Sequence, residues 1–273
     1  MDGGSVPAVF DIWLSRWSLA PDGEPIATHC SDLLPVTCRD GEPAMLKVAR
    51  EDDTRWGWLL LRYWDGEGAA RVLAHEGDAL LIERVAGARS LARMTLDGRD
   101  DEAIRILCAA AARLHAPRPR SLPPQLLPLS HWFAPLSPVA RMHGGLLARA
   151  EAVACELFDT PREPVTLHGD LHHDNVLDGA GRGWLAIDPL RLYGERGFDF
   201  ANLMRNPIDR PDLARRLFAR RTHLVAEAAG LERARLLRWT LAFAALSAAW
   251  IIGDGDDPAD DLAVAELALA ALS

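Results

Sequence analysis

The sequence predicts an α+β fold in two lobes, an antiparallel-sheet lobe followed by a mainly helical one. Three observations carry that expectation. Short apolar runs separated by turn dipeptides fill the first 86 residues, helical periodicity runs through most of residues 87–273, and both patterns break at Glu83–Gly87. The chain has 273 residues, 49% of them apolar, which is enough for a sizeable core, and 30 basic against 39 acidic side chains give a formal charge of −9. This composition excludes a disordered, collagen-like or disulfide-stapled chain. With a pI near 5.5 the chain lacks the cations that a nucleic-acid backbone demands, so a neutral or cationic ligand suits it better and no nucleic-acid partner is expected.

In chain order, Asp22-Gly23 and Asp40-Gly41 mark turns around the runs Leu33–Val36 and Ala44–Val48, which reads as an antiparallel meander. Trp56–Trp64 reads as a helix, and Ala69–Leu73 and Ala79–Ile82 read as further strands. After the break, Asp101–His115 sets Ile104, Leu107, Cys108, Ala111 and Leu114 on one helical face and stops before Pro117. Seven prolines within 117–138 predict an ordered loop or lid. A helix over about Arg141–Phe158 follows, then a non-helical segment Val165–Pro207, then helices near Pro211–Ala229, Leu231–Ile252 and Pro258–Leu272. The most apolar stretch, Trp239–Ile252, is 14 residues long and interrupted by Thr240 and Ser247, so it predicts a buried core helix rather than a membrane span. Cys30, Cys38, Cys108 and Cys155 form no CxxC pair and are expected to be free thiols. The N-terminal MDGGSVPAVFDIW has no basic segment leading into an apolar run, and a monomer in the cytoplasm, away from membranes, is the expectation.

Of the 30 basic residues one is lysine, Lys47, and the other 29 are arginine. Where arginine replaces lysine so widely, a surviving lysine on a strand points to a tight site that needs a compact point charge. The densest polar cluster is VTLHGDLHHDNVLDGAGRGWLAIDPLRLYGERGFDF, residues 165–200. Two short strands, Asn175–Leu177 and Trp184–Ile187, joined by the Gly-rich turn Asp178–Gly183, make a hairpin that brings Asn175 and Asp188 to one side, with Asp170 on the loop entering it. An amide and a carboxylate together supply hard oxygen donors, the chemistry of magnesium rather than of a thiolate metal, and a further carboxylate nearby can orient and deprotonate a hydroxyl. The spacing H-x-D-x-x-x-x-N, then a strand ending in Asp, is that of the kinase catalytic loop and metal-binding Asp, with the upstream lysine on the phosphates. His168, His172 and His173 also admit a zinc hydrolase, the weaker alternative because no HxxxH pair lies on a helix; the first is expected to pack structurally, the other two to form a loop-packing pair, and Asp174 to be solvated.

His168, Gly169, Asp170, Asn175 and Ile187-Asp188-Pro189 resemble the aminoglycoside phosphotransferase family. PAMLKVAR, WDGEGAARV, AARLHAP, LHGDLHHDNVLD, GWLAIDP and LSAAWIIGDGD are similar most closely to its streptomycin 6-phosphotransferases, over about residues 43–257. The resemblance implies a protein-kinase-like fold, with residues 1–86 as the nucleotide-binding lobe and 87–273 as the helical lobe carrying the catalytic loop and acceptor site. It implies transfer of the ATP γ-phosphate to a hydroxyl, O-6 of streptomycin, and so inactivation of the antibiotic. Another aminoglycoside or an aminocyclitol-like metabolite is the alternative acceptor, and a nucleotide-binding protein without turnover the alternative class. Carried over to this sequence, Asp170 is the catalytic base, Asn175 and Asp188 hold Mg2+, and Lys47 contacts the phosphates. The backbone of Glu83–Val85 binds adenine, and Asp199 is a buried brace. Two departures stand out. The stretch 52–66 holds no Glu to pair with Lys47, leaving Glu51, Asp52 or Asp53 as substitutes, and ATHCSDLLPV stands where a glycine-rich phosphate loop would be, so that Ser31 is either a phosphate contact or a turn cap. For a guanidinium-bearing acceptor, Trp250, Asp254, Asp256 and Asp257 form a mixed aromatic and acidic cluster, with Trp132 as a lid candidate.

Overall fold

The computed structural model describes residues 6–51 and 54–273, so Asp52 and Asp53 lie outside the described residues. The N-terminal lobe is a fully antiparallel sheet. Its strands are β1 (Ala20–Pro21), β2 (Ile26–Ala27), β3 (Ser31–Thr37), β4 (Pro43–Ala49), β5 (Val72–Glu76) and β6 (Ala79–Glu83), in the order β1-β3-β4-β6-β5 with β2 on β3. The runs Leu33–Val36 and Ala44–Val48 pair as the expected antiparallel neighbours, and only the later strands leave sequential order. β6, an apolar run buried along nearly its length, takes the inner place beside β4, while the more exposed β5 forms the edge, because only a strand with two covered faces tolerates continuous apolar sequence. Helix α1 (Asp11–Arg16) precedes the sheet and α2 (Gly57–Trp64) falls between β4 and β5. Ala69 and Ala70, expected to open β5, belong to another contact: Ala70 N donates to Ala186 O at 2.9 Å and Ala186 N to Gly68 O at 2.8 Å, which ties the sheet lobe to the segment expected to form a hairpin over 175–187.

The rest is mainly helical. Its helices are α3 (Leu91–Leu96), α4 (Asp100–His115), α5 (Leu129–Trp132), α6 (Leu136–His143), α7 (Gly145–Asp159), α8 (Pro211–Ala229), α9 (Arg233–Asp254) and α10 (Ala259–Ala270). The Pro-rich segment is an irregular loop only in its first half, which holds Pro117, Pro119, Pro123 and Pro124; Pro128 and Pro135 stand at the starts of α5 and α6 and Pro138 in the first turn of α6, where a missing N–H costs nothing. The single helix expected over Arg141–Phe158 is two, parted where Gly144 and Gly145 take φ of 64° and 53°. The segment expected to be non-helical contains the 3-10 helix Arg196–Met204. Helix α9 is long and apolar enough to cross a membrane, yet Leu236 through Ala249 are almost all buried against the other helices, around an aromatic cluster of Phe133, Phe158, Phe198, Trp239 and Phe243. No disulfide forms among the described residues.

Between the lobes, the strap after β6 is fastened to the hairpin of β9 (Val176–Asp178) and β10 (Trp184–Ala186), which the sequence had indicated within a residue. Here β9 and β10 follow β7 (Leu127–Pro128) and β8 (Pro164–Leu167), and β11 (Leu192–Glu195) pairs with both of these. Gly87 N donates to Asp178 O at 2.8 Å, and Asp178 takes the Arg89 guanidinium on both carboxylate oxygens. A Cβ on Gly87 would stand 2.3 Å from Asp178 O, and a strand carbonyl in a hairpin has nowhere to go. Gly87→Ala is expected to cost about 1–3 kcal/mol, as overpacking does, read as a lowered melting temperature; an unchanged transition would show that the strap yields.

Candidate active site

The H-x-D-x-x-x-x-N loop is held from behind. β8 leads into His168–Gly169, and both backbone N–H groups donate to the Asp199 carboxylate, at 2.9 Å to Oδ2 and 2.8 Å to Oδ1, while His115 Nε2 bonds Oδ2 at 2.7 Å. Asp199 is 1% exposed and has its charge spread over three partners, which is how a buried carboxylate is tolerated. This is the buried brace the sequence suggested. Gly169 has φ +84°, and a Cβ there would meet Leu192 Cδ1 at 2.8 Å, so the loop needs glycine at this turn. His168 is structural, as expected: it is fully buried, bonds Ile187 O through Nε2 at 2.8 Å and stacks near Trp64, and burial pushes its pKa down, keeping it neutral.

That brace presents Asp170 to the cleft. Asn175 Nδ2 donates to its Oδ2 at 3.0 Å and to its backbone O at 2.9 Å, and Asn202 Nδ2 donates to its Oδ1 at 2.9 Å. Burial raises the Asp170 carboxyl, but the hydrogen bond and charge of His172, with His168 and Arg205, outweigh it and hold the group below the ordinary carboxylate range. His172 Nε2 lies 3.5 Å from Asp170 Oδ2. The two neighbouring histidines therefore part company: His172 faces the site, and only His173 is packing. Its ring is buried without a partner, so burial drives its pKa down to about 3. Asp174 is exposed, as expected.

Lys47, 7% exposed on β4, makes an ion pair with Asp188 Oδ1 across the lobes. Among the described residues, which leave out the candidates Asp52 and Asp53, this partner comes from the other lobe, 141 residues away. Asp188 ends the hairpin with φ 57°, a left-handed conformation that Asp and Asn tolerate. The donor set fits a hard cation. Asn175 spends its amide N–H groups on Asp170, which leaves its oxygen, and Asp188 offers a half-exposed carboxylate. Among the described residues no group of three His, Cys, Asp or Glu is arranged to hold a metal.

Two cavities meet at Asp188. The first, about 220 Å³, is apolar and lies between the lobes, lined by Leu33, Met45, Leu80, Ile82, Leu177 and Ile187, with Lys47, Glu83 and Val85 on its rim. The Glu83 side chain turns away from it, binding Arg71 N at 2.8 Å and the Arg182 guanidinium. Ser31 does not line this cavity, and the turn cap proves to be Thr28, whose hydroxyl bonds Ser31 N at 3.0 Å and Ser31 O at 2.9 Å; the Ser31 hydroxyl is buried with no partner. The second cavity, about 230 Å³, holds Asp170 and is walled by Cys30, Trp132, Arg205, Phe243, Ser247 and Trp250. Trp132 and Trp250 pack edge to face at 5.5 Å.

The acidic part of the expected acceptor cluster is elsewhere. Phe243, Ser247 and Trp250 follow one helical stripe into the cavity, and the stripe runs out at the helix end, where Asp254 and Asp256 are exposed. Asp257 lines a separate depression with Asp260 and Asp261. Arg205, fixed by the buried Asp261 at 2.6 Å, stands between this depression and the second cavity and carries no motif that marks it in the sequence. Asn202 was equally unmarked, although its neighbour Asp199 was noticed.

A strand lysine and a braced H-x-D-x-x-x-x-N loop, facing each other across the cleft of a two-lobed α+β fold, define a kinase-like phosphotransferase. The chain belongs to the aminoglycoside/hydroxyurea antibiotic resistance kinase family, whose model matches residues 16–255. It is 53% identical over 249 residues to a streptomycin 3''-kinase of Klebsiella pneumoniae, covering 89% of this chain and 92% of that one, and 35% identical over 266 residues to a streptomycin 6-kinase of Streptomyces griseus, covering 92% and 84%. The crystal structure of the aminoglycoside phosphotransferase APH(4)-Ia superposes with a TM-score of 0.66 over 97% of each chain at 16% identity, which establishes the shared fold.

Proposed function

We propose that this enzyme transfers the γ-phosphoryl group of ATP directly to a hydroxyl of streptomycin. The observation that carries the reading is the meeting of the two cavities at Asp188, with Lys47 on the rim of one and Asp170 in the other, so that a nucleotide and an acceptor would share one wall. Adenine suits the apolar cleft, with the backbone of Glu83 and Val85 as its hydrogen-bonding edge and residues 1–86 as the nucleotide lobe. Lys47 neutralises phosphate charge. Asn175 and Asp188 would hold Mg2+, which when bound neutralises the charge of the phosphates. Residues 87–273 carry the acceptor site.

In the transfer, the acceptor oxygen forms a bond to the γ-phosphorus as the bond to the β–γ bridging oxygen breaks and ADP leaves. The hydroxyl proton passes to Asp170. A carboxylate held below the ordinary range is ionised throughout the neutral region and free to accept it. Trp250 and Trp132 offer ring faces and edges to a guanidinium-bearing acceptor, and Asp170 and Asp188 offer the carboxylates that Asp254, Asp256 and Asp257, outside the cavity lining, do not. The attacked hydroxyl is the 3''-OH rather than O-6, because the likeness to the 3''-kinase, at 53% identity, far exceeds that to the 6-kinase, at 35%. The enzyme acts as a cytoplasmic monomer, with no nucleic-acid or membrane partner, and the physiological effect is inactivation of the antibiotic.

The test is ADP release from Mg-ATP with and without streptomycin, mass spectrometry of the drug for one added phosphate, and NMR of the product. Streptomycin-dependent ADP release with phosphate on the 3''-oxygen is the expected result. Phosphate at O-6 overturns the regiochemistry alone; turnover only with another aminoglycoside or with hydroxyurea overturns the acceptor, and no binding of Mg-ATP overturns the whole reading.

A further inference from the structure

The two oxygens of Asp170 are treated differently from those of an ordinary loop carboxylate, because each receives one side-chain amide: Oδ2 from Asn175 and Oδ1 from Asn202. Asn175 belongs to the motif. Asn202 does not, and it sits on the 3-10 helix Arg196–Met204, 4% exposed. Its amide is held in one sense. Asn206 Nδ2 donates at 3.0 Å both to Asn202 Oδ1 and to Asn202 O, which leaves Asn202 Nδ2 directed at Asp170. A flipped Asn202 would set N–H against N–H toward Asn206 and oxygen against carboxylate toward Asp170, two buried repulsions in place of two bonds.

Behind Asn206 the chain of contacts continues into the helical core. Arg221 on α8, fully buried, donates to the carbonyls of Leu203, at 2.8 Å, and Asn206, and it pairs with Asp100 at the start of α4 through Nε at 3.0 Å and Nη2 at 2.6 Å. Thr95 Oγ1 donates to Asp100 Oδ1 at 3.0 Å and completes the carboxylate's bonding. The turn carrying Asn202 and Asn206 is thus pinned by a buried ion pair between two long helices, whereas the loop carrying Asp170 is pinned by Asp199.

We propose that Asn202 is the positioning residue of the catalytic aspartate: held by Asn206 and the Arg221–Asp100 pair, it fixes the plane of the Asp170 carboxylate so that one lone pair faces the acceptor hydroxyl. The proposal rests on the reading of Asp170 as the base. A carboxylate rotates freely about its last bond unless both oxygens are tethered, and misplacement of a reacting group by about 1 Å can cost on the order of 100-fold in rate.

Asn202→Leu keeps nearly the volume and removes the donor. With Mg-ATP and streptomycin its kcat is expected to fall roughly 10–100-fold while KM for either substrate moves less than about twofold, because the residue touches neither. In an Asp170→Asn background the same substitution should have no further effect, since a residue that works only through Asp170 loses its object there. A full penalty in that background, or an unchanged kcat in the Asn202→Leu enzyme, overturns the proposal. A crystal structure of Asn202→Leu supplies a readout independent of the acceptor: the Asp170 carboxylate should turn from its present plane, and an unmoved carboxylate overturns the proposal even if wild-type enzyme leaves streptomycin untouched, a result that by itself sinks the acceptor reading instead. Should Asn202→Leu not fold, Asn206→Ala removes the lock on the amide. It should lower kcat in the same way but less, and wild-type kcat in that variant overturns the proposal equally.

Discussion

Asp170→Asn is expected to lower phosphoryl transfer by about 10²–10⁴-fold, the range typical of losing a general base, while the protein folds normally and still binds Mg-ATP. The reason lies in the division of labour within the loop. Its backbone is held by Asp199, through the N–H groups of His168 and Gly169, and Asp170 contributes nothing to that brace. An asparagine there would keep the size of the side chain but turn one of its two ends into a donor facing Asn175 or Asn202, a local mismatch that a side-chain rotation relieves. Single-turnover transfer, nucleotide binding by calorimetry and a thermal melt separate the three properties. Transfer at near wild-type rate would remove Asp170 from the role of base.

Asp188→Asn should act on the nucleotide side of the site. The substitution is sterically gentle, because asparagine accepts the left-handed φ of 57° as readily as aspartate does. Electrically it is severe. The Lys47 ammonium, buried on β4, loses its ion-pair partner, and the hard-oxygen set keeps no carboxylate beyond Asp170. The Mg2+ concentration that supports half-maximal turnover is expected to rise by at least the roughly 10–100-fold that loss of even an outer partner costs a metal site. Titration of activity with Mg2+ at fixed ATP reads this directly, and an unchanged midpoint would contradict the assignment of Asp188.

These two residues also show what could be read in advance. Asp170, Asn175 and Asp188 were legible because their chemistry is local: an eight-residue loop motif and a hairpin bring them together with little help from the rest of the chain. Lys47 was legible for a different reason, as the one lysine in a background of arginine. Its partner was not. Kinase spacing points to the helix after β4, whereas the ion pair with Asp188 spans 141 residues and both lobes. The acidic cluster after Trp250 misled in the opposite way, since proximity in sequence to a cavity-lining tryptophan does not carry past the end of helix α9, where the side chains leave the cavity for solvent.

The sequence by itself determined the division into a sheet lobe and a helical lobe, the hairpin and the motif it carries, because those follow from periodicity, turn chemistry and short-range spacing. Only the tertiary structure decided that β6 lies inside β5, that Gly87 is fastened under the hairpin, that Lys47 answers to Asp188, and that Asn202 reaches the second oxygen of Asp170. The physical reason is common to all four. Each depends on which surfaces are buried against one another, and a buried polar or crowded group is satisfied by whatever the packing brings near it rather than by its neighbours along the chain.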